Sequence, residues 1–310
     1  MHTHDSSCFS IGSLAKTAYA NLAAAYRSDS GFAGYTHALS GLAVGIWFFA
    51  LAPMFMDLDI LALGAIGTAV AFLWGLIGAS LVPDFDNTSS TSRNSLGLLG
   101  IVISTVFRST SVAIQTVVRT GKDDAGANPH RGFWHTGVSA VLLGVGVYFL
   151  STVSYDFTVP VLGELTVGQT GAFFVFFMLV HFTLSSLAKK TMYKLKKSSF
   201  AGELIAILAS LGVSALFFSV ANTENFIWLA AAMTGGCLVH MFGDSFTKDG
   251  LPFWFPFCVI LRGKFWWKSR LMKLTSGDDF EKGPITYLLY AITAVGIVVL
   301  VLRHLAPQGI

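Results

Sequence analysis

Seven long apolar runs, separated by polar segments, dominate the chain. Each run is close to the roughly 20 residues that a helix needs to cross the hydrocarbon core of a bilayer. The runs cover residues 36–53, 60–82, 135–153, 170–187, 201–220, 226–244 and 285–302. The pattern therefore predicts an all-α fold, a polytopic transmembrane helical bundle of about seven spans.

Three further segments do not fit a simple span. Residues 1–34 are only mildly amphipathic and predict a cytoplasmic or interfacial N-terminal segment. The run 96–118 has Arg108 and several hydroxyl residues near its centre, so we expect a re-entrant or interfacial segment. The run 250–261 is too short to cross and contains two prolines, so we expect it to dip into one leaflet edge. Residues 35–310 then form a single transmembrane domain.

The composition agrees with a membrane protein. Only 12% of the 310 residues are charged, whereas ordinary soluble domains have about 25%. The net charge of +3 is too small to indicate a nucleic-acid partner. The three cysteines show neither CxxC nor zinc-finger spacing, so a disulfide framework is not expected.

The basic residues are segregated along the chain. Segments 1–35, 83–134, 188–200 and 245–284 contain 2, 5, 5 and 7 Lys or Arg residues, which is 19 of the 20 in the chain. With seven spans, all four segments lie on the side that has the N-terminus. Cytoplasmic loops of membrane proteins are enriched in Lys and Arg. We therefore expect a multi-pass protein of the inner (cytoplasmic) membrane whose N-terminus and basic loops are cytoplasmic.

Unusual polar residues cluster at the same boundary. They occur in four separate stretches, each at the cytoplasmic end of a predicted span: His37; Asp84 and Asp86; His130, Arg131 and His135; and His240 with Asp244. Any one of these stretches has an ordinary structural explanation, such as a hydrogen bond at a helix end. Ionisable groups at membrane depth are costly, however, and are usually functional. Their joint occurrence predicts one site on the cytoplasmic side.

The residue types in this set are those of a metal site. His240 and Asp244 are four residues apart and share a helix face, and the two Asp residues after Pro83 can face the same way. Histidine together with carboxylate favours Zn²⁺ or Mn²⁺ over Mg²⁺ or Ca²⁺. The donors exceed what one divalent ion needs, which allows two. The predicted ligands are His37, Asp84, Asp86, His130, His135, His240 and Asp244.

The site chemistry also predicts roles beyond metal binding. Two ions can clamp the attacking and leaving oxygens of a phosphoester displacement. The planar guanidinium of Arg131 suits a phosphate clamp, and a non-ligating Asp, from the pair Asp84 and Asp86, takes a proton. Thr247 lies just after the sixth span and can contact substrate, although a loop after a helix end also explains it. His181 has no partner at helical spacing and reads as a structural residue.

These stretches resemble a known family. "THALSG", "VPDFDN", "HRGFWHTG" and "HMFGDSFTKDGLPFWFPF" together resemble the YdjM-type inner-membrane proteins, which are described as metal-dependent and LexA-regulated membrane-bound hydrolases. The resemblance implies a metal-dependent hydrolase and carries the pattern onto His37, Asp84, Asp86, His130, Arg131, His135, His240, Asp244, Thr247 and the turn glycine Gly250. Asn87 stands where the family usually has His, and Trp134 and Thr136 replace the usual Thr and Ser.

The leading hypothesis is a membrane hydrolase with a cytoplasm-facing His/Asp metal site that cleaves a phosphoester or another ester, with a lipid-like substrate suggested by the location. A transporter or metal carrier is the first alternative, although the polar residues do not lie at mid-membrane as in transporters. A haem-binding electron carrier would need His181 and His240 in mid-span. A non-catalytic, metal-binding scaffold is the last alternative. The substrate, the identity of the metal and the oligomeric state are left open.

Overall fold

The computed structural model of the chain describes residues 31–51, 63–118, 131–159, 163–187, 200–221, 226–246, 251–257 and 281–305. These residues form helices and one small antiparallel hairpin. The helices are α1 (Gly31–Leu51), α2 (Leu63–Ala79), α3 (Thr91–Ser95), α4 (Gly97–Val118), α5 (Gly137–Ser151), α6 (Val167–Leu187), α7 (Phe200–Val220), α8 (Ile227–Ser245) and α9 (Thr286–Leu305).

Shorter elements join these helices. Two 3-10 turns, Pro83–Asp86 and Phe133–His135, follow α2 and precede α5, and a π turn, Glu281–Ile285, leads into α9. The hairpin pairs β1 (Asp156–Val159) with β2 (Gly163–Thr166) between α5 and α6. The sequence pattern does not predict this hairpin, because four-residue strands are too short to show a clear alternation of polar and apolar residues.

The prediction of a helical membrane bundle is confirmed. All seven predicted runs are helices whose bounds differ from the prediction by a few residues: α1, α2 and α5 to α9. Among the described residues, five segments are long and apolar enough to cross a membrane: Gly34–Leu51, Ile66–Asp86, Gly97–Val118, Val167–Leu187 and Gly283–Arg303. Helix α5 and the Leu204–Val220 part of α7 are apolar but shorter. The number of seven spans stays a prediction.

Apart from α4, successive long helices run in opposite directions. The Ser80 hydroxyl, just after α2, donates to the His37 carbonyl near the start of α1 (2.9 Å), and the Ser186 hydroxyl, near the end of α6, donates to the Gly34 carbonyl (3.1 Å). At the other end of the bundle, Gly67 near the start of α2 lies against Val220 at the end of α7. We call the end that contains His37 and Ser80 the site end. The hairpin lies at the opposite end.

Helix α2 is the centre of the bundle and packs against α1, α6, α7 and α8. Two glycines allow close approach of the backbones. A Cβ on Gly78 would lie 2.1 Å from the Leu179 carbonyl oxygen of α6, and one on Gly236 of α8 would lie 2.5 Å from the Leu76 carbonyl oxygen. Small residues at helix interfaces are typical of membrane bundles, in which close packing drives helix association. This packing brings the ends of α2, α6 and α8 together at the site end.

The three segments outside the seven runs have different outcomes. Residues 97–118 form one unbroken helix, so the re-entrant alternative, in which the chain turns back, is wrong. Residues 251–257 form turns, with Leu251 fully buried. Their depth in a leaflet stays a prediction. Residues 1–30 lie outside the described residues, and α1 begins at Gly31, within the predicted N-terminal segment.

Candidate metal centre

The structure brings most of the predicted site residues into one buried cluster at the site end. Four elements supply them: α1, the 3-10 turn after α2, the segment before α5, and the end of α8. All are buried: His37, Asp84, Asp86, Arg131, His135, His240 and Asp244. The predicted ligand His130 and the predicted substrate contact Thr247 lie outside the described residues.

Four side-chain atoms form the centre of this cluster. His135 Nε2 and His240 Nε2 are 3.3 Å apart. Asp84 Oδ1 lies 3.8 Å from His135 Nε2 and 3.7 Å from His240 Nε2. Asp244 Oδ2 lies 3.6 Å from His135 Nε2 and 3.5 Å from His240 Nε2. Two nitrogens and two oxygens from three separate parts of the chain therefore lie close together around His135 Nε2 and His240 Nε2.

These separations are of the size found between ligands of one divalent ion. With zinc–ligand bonds of about 2.0–2.2 Å, the ligand atoms of a tetrahedral site are about 3.3–3.6 Å apart. The five separations given above run from 3.3 to 3.8 Å, and the ligand atoms of His135, His240 and Asp244 all lie within 4.8 Å of one another. The two nitrogens and two carboxylate oxygens are also the donor types that Zn²⁺ and Mn²⁺ accept. The residues present therefore fit a divalent transition metal.

The hydrogen bond on the far side of the His240 ring fixes its orientation. His240 Nδ1 lies 2.8 Å from the Ser80 carbonyl oxygen. A carbonyl oxygen only accepts, so Nδ1 carries the proton, and the neutral ring presents the lone pair of Nε2 to the cluster. Ligating histidines are commonly fixed in this way by a carbonyl or carboxylate behind the ring. The role of Ser80 behind His240 is not predicted from the sequence, since a serine at a helix end has no distinctive spacing.

Asp86 occupies the corresponding position behind His135. Its Oδ2 lies 3.7 Å from His135 Nδ1, the ring nitrogen that faces away from His240. The Asp86 side chain is fully buried, whereas that of Asp84 is 13% exposed. The two residues of the DxD pair therefore have different positions: Asp84 lies in the four-atom cluster, and Asp86 lies behind His135. Spacing alone does not distinguish these two positions.

His37 and Arg131 converge on the other oxygen of Asp244. His37 Nε2 lies 3.3 Å and Arg131 NH2 lies 3.4 Å from Asp244 Oδ1. The His37 ring also stacks on His240, with ring centroids 3.8 Å apart. His37, Asp84 and His240 form a second group with ligand atoms near enough to hold an ion, and it shares His240 with the group of His135, His240 and Asp244.

The charges of the cluster also favour a cation. Asp84, Asp86 and Asp244 are three buried carboxylates, and Arg131 supplies one positive charge. With neutral histidines, these four side chains of the described residues carry a net charge of two negative units. Buried charges are costly unless they are paired or coordinate a metal. One divalent cation would neutralise this set.

Local structure holds the residues that precede α5. The Thr136 hydroxyl caps α5 by accepting from the Ser139 backbone N–H (3.1 Å), directly after His135. The Trp134 ring stacks on Phe107 of α4, with centroids 4.2 Å apart, and its Nε1 donates to the Phe107 carbonyl (2.7 Å). Trp134, which stands where the resemblance implies a threonine, therefore packs against α4 and is hydrogen-bonded to it.

Asn87, another departure from the pattern that the resemblance implies, forms a turn. Its Oδ1 accepts from the backbone N–H (3.0 Å) and the hydroxyl (2.8 Å) of Ser89. The side-chain oxygen at the position where the family usually has a histidine therefore holds the chain that follows the DxD pair.

His181 lies in a different environment. Its Nε2 is 2.9 Å from the Ser95 carbonyl oxygen, and its Nδ1 is 2.8 Å from the Ser210 hydroxyl. These contacts join α6 to the end of α3 and to α7. The interpretation of His181 as a structural residue agrees with these contacts.

The comparison with known families identifies the family of the chain. A family model described as YdjM inner membrane protein matches residues 33–191, just over half of the 310 residues. The chain belongs to this family. No curated protein and no solved structure matches the chain. The YdjM match includes His37, the DxD pair and the segment before α5, and ends before α8. His240 and Asp244 lie outside the matched residues, and their contacts with His135 and Asp84 place them in the same cluster.

Proposed function

We propose that this membrane protein is a metal-dependent hydrolase that cleaves a phosphoester or a related ester. The observation that supports the proposal most directly is the arrangement of His135 Nε2, His240 Nε2, Asp84 Oδ1 and Asp244 Oδ2, with Arg131 beside it. These four residues would hold the ion. A divalent cation supplies Lewis-acid chemistry at such a site and activates water for hydrolysis.

Arg131 is the candidate for binding the anionic group of the substrate. Its NH2 lies 3.4 Å from Asp244 Oδ1, at the edge of the four-atom cluster, and its side chain is 8% exposed. A guanidinium presents several parallel N–H donors and binds phosphate oxygens in a fixed orientation. Asp244 would then hold Arg131 in place with one oxygen while its other oxygen faces the ion.

His37 is the candidate for proton transfer. Its Nε2 lies 3.3 Å from Asp244 Oδ1, and its side chain is 9% exposed. Asp86 fits this role less well, because its fully buried carboxylate lies behind His135. In the proposed reaction the water oxygen bonds to phosphorus and the bond from phosphorus to the leaving oxygen breaks. Because Asp244 Oδ1 accepts from His37 Nε2, His37 takes the proton of the water at Nδ1 and then gives it to the leaving oxygen. Histidine is the side chain most often used for such transfers.

The substrate class follows from the position of the site. The cluster lies where α1 and α5 begin and α2 and α8 end, and α1, α2 and α5 are apolar helices of a membrane protein. A substrate that reaches this depth is more easily supplied by the bilayer than by water. We therefore propose a lipid-like or otherwise amphiphilic phosphoester.

The test combines metal content and turnover. The full chain is purified in detergent, loaded with Zn²⁺ or Mn²⁺, and screened against phosphoester and lipid phosphoester substrates. We expect turnover in the wild type and its loss in Arg131→Gln, with most of the bound metal retained in that variant. Ser214→Ala, which alters a buried hydroxyl bonded to the Ser210 carbonyl, is the control and should keep both properties.

Two other outcomes would favour a different function for the same metal centre. A protein that holds metal but hydrolyses none of the substrates, and that moves the same metal across liposome membranes, would be a metal carrier. A protein that holds metal without turnover or flux would be a metal-binding scaffold. Either outcome would contradict the hydrolase while leaving the metal centre in place.

A further inference from the structure

Helix α4 packs against the short elements around the site rather than along the bundle. Its Phe107 ring is 5.4 Å from the ring of Phe85 in the 3-10 turn after α2. One turn further on, the Ser111 hydroxyl accepts from the Phe133 backbone N–H (3.0 Å). From Gly97 to Ser111 the helix advances about 21 Å. Near its start, Gly100 lies against the Arg93 carbonyl of α3, and α3 is at the site end because Thr91 lies against Gly34. Over this distance α4 therefore stays beside elements of the site end and runs across that end of the bundle.

The residues of α4 form three sectors. The buried sector contains Gly100, Ser104 and Ser111 and faces the protein. At about 100° per residue, the exposed side chains on one flank of this sector are apolar, and those on the other flank are mixed. The apolar flank contains Val102, Val106, Ala113 and Val117. The mixed flank, which we call the polar flank, contains Thr105, Arg108 and Thr116 together with Leu98 and Val112, which are 77% and 42% exposed.

The two exposed flanks indicate what surrounds the helix. Val102, Val106 and Val117 are 53%, 57% and 85% exposed, which is costly in water. Arg108, in the middle of the helix, is also exposed, which is costly in the hydrocarbon core. A helix that lies along the membrane surface satisfies both flanks, since one flank meets the acyl chains and the other meets water.

We propose that α4 lies in the headgroup region of the leaflet on the site side, parallel to the membrane surface. Its apolar flank contacts the acyl chains, and Arg108 on the polar flank reaches lipid phosphate and water. The contacts of Phe107 and Ser111 then hold the segments that contain Asp84 and His135 at headgroup depth. This inference does not depend on whether the site hydrolyses anything.

Spin labels test the orientation. Single cysteines are placed at Val102, Val106, Val117, Thr105 and Arg108 of the full chain, in a background without the three native cysteines, and the labelled protein is reconstituted in nanodiscs. Collisions with oxygen and with a water-soluble nickel complex report the depth of each label. We expect the three apolar-flank labels to lie at depths equal within about 5 Å and the two polar-flank labels to be several-fold more accessible to nickel.

Helix α9 supplies a matched control. Leu288, Val295 and Leu302 are 59%, 52% and 61% exposed and lie along an apolar helix that is long enough to cross. Labels there should change depth along the helix. If α4 spans the membrane, the label at Val106 will be deep, and the labels at Val102 and Val117, about 22 Å apart along the axis, will lie at different depths. That result would overturn the proposal.

A second measurement avoids the removal of cysteines. A photo-crosslinking residue at Val106, with Thr105 as its neighbour on the other flank, is introduced into the native chain in lipid vesicles. We expect lipid adducts at Val106 and at least several-fold fewer at Thr105. Equal lipid adducts at both positions would indicate a spanning helix, and crosslinks from Val106 only to protein would show that another chain covers this flank. Both results contradict the proposal.

Discussion

Two fully buried histidines, His181 on α6 and His240 on α8, have opposite surroundings. His181 is held on both sides, by the Ser95 carbonyl at Nε2 and the Ser210 hydroxyl at Nδ1. His240 is held on one side by the Ser80 carbonyl, and its other nitrogen faces His135 Nε2 at 3.3 Å. Burial is the same, at 0% exposure for both residues. What differs is the identity of the atoms that face the second ring nitrogen.

This difference separates a structural histidine from a candidate ligand. A carbonyl and a hydroxyl together satisfy an imidazole without any ion. Around His240 Nε2, a second imidazole and the carboxylates of Asp84 and Asp244 lie within 3.7 Å, and these are groups that a cation brings together. Each of the following predictions tests one part of this contrast.

Replacing the two histidines should have the largest and the most different effects. We expect His240→Ala to reduce metal affinity by more than about 100-fold, since it removes a ligand and changes of groups behind ligands already cost about 10–100-fold. His181→Ala should keep the metal affinity within about twofold and lower stability by about 1–3 kcal/mol, because it leaves buried polar groups without a partner. Metal titration and thermal unfolding in detergent measure the two effects. Equal metal loss in both variants would contradict the contrast.

Asp86→Asn should have the next largest effect. Asp86 lies behind His135, with its Oδ2 3.7 Å from Nδ1, and is not among the four atoms of the cluster. We expect a 10–100-fold loss of metal affinity with the same stoichiometry, which is typical of a group that orients a ligating histidine. Asp84→Asn is the matched variant, and we expect it to lose stoichiometric binding. An Asp86 variant that loses all metal would show that Asp86 itself is a ligand, as the sequence analysis predicts.

Much of this architecture follows from the sequence. Seven apolar runs predict seven helices, and the i,i+4 spacing of His240 and Asp244 predicts their shared face. The hairpin and the division of roles between Asp84 and Asp86 are not predicted, because they depend on tertiary packing. Ser80 and Trp134 are missed as supporting residues for the same reason, since their partners, His240 and Phe107, are distant in sequence.

How α4 supports the site is also only partly predictable from the sequence. The polar residues at its centre predict that it is not an ordinary span, although the helix is long and apolar enough to cross a membrane. They do not show that Phe107 and Ser111 contact the two segments that contain site residues. An unbroken helix and a re-entrant loop can have the same composition, and only the backbone distinguishes them.

Gly78→Ala should have a smaller effect on metal affinity than the ligand variants. It should lower stability, because α2 packs against both α6, which contains His181, and α8, which contains His240. A Cβ at Gly78 would lie 2.1 Å from the Leu179 carbonyl oxygen, so α2 and α6 must move apart. We expect a loss of about 1–3 kcal/mol in the free energy of unfolding, as for other overpacked sites. Gly146→Ala is the control, because no atom of the described residues lies within 4 Å of a Cβ there. Similar stabilities of the two variants would contradict the close packing of α2 on α6.

The central claim is that His135, His240, Asp84 and Asp244 hold a divalent metal. The most direct test is elemental analysis of the purified wild type beside Asp84→Ala, each incubated with Zn²⁺ or Mn²⁺ and then freed of loosely bound ions. We expect about one equivalent or more of metal per chain in the wild type and less than about 0.2 equivalents in the variant. A wild type with less than about 0.2 equivalents, or equal metal content in both proteins, would contradict this claim.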